Sequence, residues 1–137
     1  MNLYEFIQKF AEENRDFINS TDGLDEVSIT ILASKQFTGK LPNIPEDSRK
    51  ALQDSKSGEI EVTKISENIG NIQKGDTYRG FTPAFGEGIA VYISNPREWF
   101  KSSTIQSIDW EKHLFKTRNS TYSFKFKEIA FNESKNS

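Results

Sequence analysis

The chain has 137 residues with 34% hydrophobic content, and its 11 Phe, 4 Tyr and 2 Trp supply large apolar area per residue. That is enough for one real core and argues against a disordered chain. A net charge of −2 argues neither for general nucleic-acid binding nor for acidic-tail behaviour, and the lack of cysteine removes disulfides, thiolate nucleophiles and thiolate zinc sites.

The first element is a helix. Leu3, Phe6, Ile7, Phe10 and Phe17 recur at spacings of three, four and seven, on one helical face. Asn2 caps it with Glu5 as capping-box partner, and Glu5, Lys9, Glu12 and Glu13 form the opposite face. Turn chemistry at Asn19-Ser20-Thr21-Asp22-Gly23 ends it near Asn19. Val27, Ile29 and Ile31 alternate with Ser28 and Thr30, which predicts a half-buried strand broken by Lys40-Leu41-Pro42-Asn43-Ile44-Pro45. A short helix after Pro45 is expected to turn Ala51 and Leu52 inward and to end at Gly58. Ile60, Val62 and Ile65 predict a strand, and residues 66–77 a polar loop with Gly70 and Gly75.

From Tyr78 onward successive strands are expected, with residues 78–86 entering as a loop. Residues 88–93 form an apolar run suited to a buried strand, turned by Asn95-Pro96. Residues 99–108 form the next, Asp109 to His113 a connection, and residues 114–117 lead into a turn at Arg118-Asn119-Ser120. Tyr122, Phe124 and Phe126 alternate with Ser123, Lys125 and Lys127, as in an antiparallel sheet with one wet face. The prediction is an α+β fold: an N-terminal amphipathic helix packed on a mainly antiparallel sheet, or a small β-sandwich or barrel, in the C-terminal half. Residues 1–131 form one domain and 132–137 a polar tail. The N-terminus lacks a secretory pattern and no apolar stretch approaches the roughly 20 residues of a membrane span, so a cytoplasmic protein without membrane partners is expected.

The sequence holds little for catalysis. His113 is the sole histidine and lies in a charged turn, and no Gly-x-Ser-x-Gly elbow is present. Asp22, Asp25, Glu26, Glu46 and Asp47 sit beside turn residues, as solvated carboxylates do, and no EF-hand loop is formed. Neither catalytic residues, nor a metal, nor a cofactor is expected. Binding is better provided for. Residues 78–86 combine Arg79, Phe81 and Phe85 with two glycines, suited to clamping a planar or anionic ligand, unless both rings fold back onto the core. Arg97 and Lys101 flank an aromatic pair, and Arg118, Asn119, Ser120 and Tyr122 bring a guanidinium, an amide and hydroxyls to one turn. Asn-Ser is equally ordinary hairpin chemistry. These residues fall in the basic half: residues 71–137 carry 10 Lys and Arg against 7 Asp and Glu, whereas residues 1–70 carry 8 against 13.

The Ser/Thr-rich run from Trp99 to Ile108, followed by Phe115-Lys116-Thr117-Arg118-Asn119-Ser120-Thr121-Tyr122, resembles the closing segment of small phage and mobile-element proteins, among them phage anti-Thoeris proteins that sequester cyclic ADP-ribose-type signals. The resemblance implies an oligomeric, sheet-based sponge without turnover, with Arg118 on phosphate, Asn119 hydrogen-bonded to the ligand and aromatics on adenine. The leading expectation is thus a non-enzymatic, phage-type anti-defence factor that sequesters a small anionic nucleotide in the host cytoplasm, as a homo-oligomer. The first alternative is an inhibitor that blocks a host protein through a surface patch anchored by Trp99, Phe100 or Trp110. The second is a single-stranded nucleic-acid binder using Lys116, Arg118, Lys125 and Lys127, less favoured because the chain lacks strong basicity.

Overall fold

The computed structural model describes residues 2–22, 24–38, 45–66, 74–95 and 99–129. Among the described residues four helices, α1 (Leu3–Glu13), α2 (Arg15–Ser20), α3 (Glu26–Gln36) and α4 (Glu46–Asp54), precede six strands. These are β1 (Lys56–Lys64), β2 (Thr77–Phe85), β3 (Ala90–Ser94), β4 (Trp99–Asp109), β5 (Leu114–Thr117) and β6 (Thr121–Glu128). The strands form an up-and-down antiparallel meander that closes into a barrel when β6 returns to β1. The fold is therefore the expected α+β arrangement, with the barrel as the form the sheet takes. Among the described residues no helix is long and apolar enough to cross a membrane.

The barrel interior follows from the period-two pattern. Ile60 and Val62 of β1 and Phe124 of β6 point inward, while Glu59, Glu61, Lys125 and Lys127 face out. The lumen is filled by rings: Phe115 stacks on Tyr122 at 5.0 Å, and Phe85 meets Phe115 and Phe124 edge-on at 5.6 and 4.9 Å. A second, smaller core lies outside the barrel, where Phe10, Leu32 and Ala33 cover Phe81.

The helices form for local reasons. The Asn2–Glu5 capping box is made in both directions, at 2.8 and 3.1 Å. Asn14 then interrupts the helix: its side-chain amide donates to the Phe10 carbonyl at 2.9 Å, and the chain restarts as α2, which ends at Ser20 close to the expected limit. The predicted strand around Val27 is instead α3, with Asp25 accepting from the Ser28 amide at 2.8 Å as N-cap. Val27 is 50% exposed, whereas Ile29 packs beside the buried stripe of Ser28, Leu32 and Ala33, a helical rather than a period-two pattern. The helix after Pro45 is present as α4. Its end comes before Gly58, which belongs to β1, and Ile65 lies past the end of that strand, exposed. All of the expected Lys40–Pro45 breaker but Pro45, most of the 66–77 loop, the Pro96 turn and the 132–137 tail lie outside the described residues.

Residues 78–86 also differ from expectation: 78–85 belong to β2 rather than to a loop. Gly80 and Pro83 are turn formers by composition, yet both have strand roles. Pro83 sits in a bulge, since two residues of β2 stand opposite Ser57 between the pairs Lys56–Phe85 and Gly58–Thr82, and a residue lacking an N–H is tolerated there. Gly58 pairs with Thr82 on one side and Glu128 on the other, and a Cβ there would collide with the Lys127 carbonyl. Gly58→Ala should therefore loosen barrel closure and cost about 1–3 kcal/mol, as overpacking does, read from the urea midpoint.

Candidate functional site

The candidate ligand residues read from the sequence do not converge. Arg79 is exposed on β2, donates Nε to Glu61 at 2.8 Å, and pairs with the same carboxylate through its terminal nitrogen. That hydrogen bond holds the Glu61 carboxyl below its ordinary range. Phe81 is 2% exposed beneath the helices, and Phe85 (1%) and Tyr122 (4%) lie in the barrel core, so none presents a ring face to a ligand. Burial pushes the Tyr122 phenol above its ordinary value, against a Ser120 hydrogen bond. Lys101 is exposed on β4 opposite Tyr92. Arg118 and Asn119 are exposed in the β5–β6 turn, where Thr117 donates its amide to Ser120 at 2.9 Å. Arg97 lies outside the described residues. In the closed strand order β2, β4 and the β5–β6 turn occupy different walls, which separates Arg79, Lys101 and Arg118.

Of the three aromatic anchors, Phe100 is buried and the Trp99 side chain lies outside the described residues, whereas Trp110 is 44% exposed. Trp110 stands in the β4–β5 turn, shaped by Asp109, whose Oδ1 accepts from the Glu111 and Lys112 amides at 3.1 and 3.0 Å. Its ring leans edge-on against Phe85 and Phe124, each at 5.5 Å, and so closes one barrel mouth. Beside it runs a groove of about 660 Å³ between α4 and the mouth. Ala51, Ile105, Ile108 and Trp110 supply its apolar lining, and Asp47, Lys50 and Asp54 a charged rim.

The groove has a built wall. Gly88 adopts φ +91, reserved in practice for glycine, and a Cβ there would lie 3.0 Å from the Ala51 methyl. Glu87 accepts from the Ile108 amide at 3.0 Å and ties this hairpin to β4. Gly86-Glu87-Gly88 precedes a strand rather than linking a strand to a helix, so it is no dinucleotide fingerprint, and its packing against α4 depends on the fold. Among the described residues no three His, Cys, Asp or Glu side chains converge as a metal ion requires.

Two polar ties hold the helices on the barrel. Asp25 accepts from the Tyr92 hydroxyl at 2.7 Å while capping α3. Burial pushes its carboxyl up, but the hydrogen bonds from Ser28, Tyr92 and Ser94 prevail and leave it below its ordinary value. Burial, aided by Asp25, pushes the Tyr92 phenol up to about 12. At the other end of α3, Lys35 Nζ donates to the Ser55 carbonyl (3.0 Å), Ser57 Oγ (2.8 Å) and the Pro83 carbonyl (3.1 Å). All three ammonium donors are used, on neutral acceptors. Burial lowers the Lys35 pKa to about 8, with Glu128 pulling the other way.

No protein-family model, curated protein or solved structure matched the chain.

Lys35 has a measurable consequence. Its folded pKa of about 8 lies below its ordinary 10.5, so between these values the unfolded chain binds more protons and stability from this group rises with pH. Above pH 10 the raised tyrosines act in the opposite sense, so the window to use is pH 8–10. Lys35→Met should flatten the rise, and wild type should gain on the variant by about 1 kcal/mol across that window, solvent screening reducing the full linkage value. Urea midpoints at stepped pH measure it.

Proposed function

We propose that the chain is a non-enzymatic binding protein whose partner is another protein, engaged by the groove between α4 and the barrel mouth. The observation that carries this reading is Trp110: an indole nearly half open to solvent, yet fixed by edge contacts to Phe85 and Phe124, beside an apolar groove. A rigid aromatic anchor beside a pocket with a charged rim is the anatomy of an interface hot spot. The ring-filled lumen supports the same choice, because a ligand held inside the barrel would have to displace core side chains. The activity on this reading is that of an inhibitor that blocks a host protein through a surface patch. This is the alternative that the sequence anchors on Trp110, rather than the sponge that the C-terminal resemblance implies.

A second reading, a small anionic nucleotide at the β5–β6 turn, is favoured by Arg118 and Asn119 being exposed side by side there. It lacks the stacking ring that the resemblance implies, since Tyr122 is core.

Peptides selected from a random display library on the immobilised protein test the first reading. Trp110→Ala should weaken the selected binders by about 2 kcal/mol or more, the cost of a hot spot, while Lys101→Ala leaves them unchanged. Selected peptides indifferent to Trp110→Ala would overturn it. For the second, a thermal-shift series with cyclic ADP-ribose isomers should show stabilisation that Arg118→Ala removes, a loss of about 1.5–3 kcal/mol of binding; a flat series removes the nucleotide.

A further inference from the structure

The charges around the groove narrow the chemistry of its occupant. On the assumption that the groove is the binding site, we infer that the partner segment it takes is cationic: an aliphatic or aromatic side chain flanked by arginine or lysine. The two turns at the mouth and the facing helix contribute carboxylates in excess. Asp47, Asp54 and Glu87 line the groove, Asp109 and Glu111 flank Trp110 in sequence, and Glu46 on α4 and Glu128 at the end of β6 belong to the same segments. Against these seven, the described residues of α4, of the start of β1 and of the β4–β5 turn bring Arg49, Lys50, Lys56 and Lys112, of which Lys50 and Lys56 line the groove. Lys56 is partly spent within the mouth, 3.6 Å from Glu128. Lys50 stands between Asp47 and Asp54 at helical spacings of three and four, so α4 offers its own counter-charge.

The surplus acids share the groove and the β4–β5 turn with an exposed indole, and the two features select the same ligand. A guanidinium or ammonium over an indole is attracted by the ring quadrupole, and carboxylates beside it add to that attraction. A phosphate or an acidic peptide would meet a net excess of like charge at this rim, and Arg118 in the β5–β6 turn and Lys101 on β4 lie away from it. The apolar floor from Ile105, Ile108 and Ala51 takes the hydrophobic anchor, which a purely polycationic ligand would leave unused.

The test is titration of the full chain with two short peptides, one carrying a central leucine between arginines and its copy carrying glutamates in their place. Calorimetry reads affinity and two-dimensional NMR reads the Trp110 indole, assigned through Trp110→Phe. The arginine peptide should bind about tenfold or more tighter than its copy, shift the Trp110 indole and weaken with added salt. The double substitution Asp54→Lys with Glu111→Lys should invert the preference. Both positions are exposed, and a lysine at the last residue of α4 suits the helix dipole, so an unchanged unfolding temperature is expected. If the glutamate peptide binds equally or better with the same indole shift, the cationic assignment falls and the groove remains the site. If neither peptide moves the Trp110 indole, the groove reading falls with it.

Discussion

The ladder between the first and last strands is the constraint on which the rest of this structure depends. Its register runs from Gly58–Glu128 to Lys64–Tyr122 and continues past β6, where the Ile129 amide donates to the Ser57 carbonyl at 2.8 Å. Closing β6 onto β1 removes both sheet edges and fixes which side chains face the lumen, since a slip of one residue would turn Phe124 outward and Lys125 inward. The pairing joins strands separated by most of the β half of the chain, so it is a long-range contact bought with loop-closure entropy. What offsets that entropy is the aromatic lumen, whose rings come from β2, β4, β5 and β6 together.

The helices depend on the closed barrel through α3. Its apolar middle, Leu32 and Ala33, rests with Phe10 on Phe81, while its two ends are tied by polar contacts of opposite kind. At the start Asp25 serves both the helix cap and Tyr92 of β3; at the end Lys35 reaches β1 and the bulge of β2. The bulge that Pro83 occupies thus frees a carbonyl for Lys35 and Ser57, the latter donating at 2.7 Å. A buried ammonium on neutral acceptors is a costly tie, but its three directed bonds set the angle of α3 more closely than apolar packing alone would.

Legibility in the sequence followed burial. Where one face is wet and the other dry, as in α1 and β6, residue spacing carried the structure plainly. Where both faces are covered it did not: residues 81–85 of β2 are buried on both sides, and the strand's glycine and proline have packing roles that composition reports as a loop. In α3 the period-two run of Val27, Ile29 and Ile31 pointed to a strand, while the better signal was Asp25 three residues before Ser28, an N-cap spacing. For the site, Phe81, Phe85, Phe100 and Tyr122 are buried, whereas Arg79, Arg118 and Trp110, which the sequence offers beside them, are exposed. Their separation onto different walls, and the pairing of α4 with the Gly86-Glu87-Gly88 hairpin, arise only from barrel closure, which no local window contains.

That closure also determines where binding chemistry can reside. A barrel with a filled lumen offers its outer wall or its mouths, and on the β1–β2–β6 wall opposite charges already meet: Glu61 takes Arg79, with Lys125 3.9 Å away. At the α4 mouth the balance is different. Trp110 is held by the lumen rings and still exposes its indole, so the groups that stopper the barrel also present the anchor. An anchor immobilised by the core has little rotamer freedom left to lose on binding, which lowers the entropic cost of association. On the proposed reading the same ring contacts would serve both stability and recognition, and binding at this mouth would require no opening of the fold.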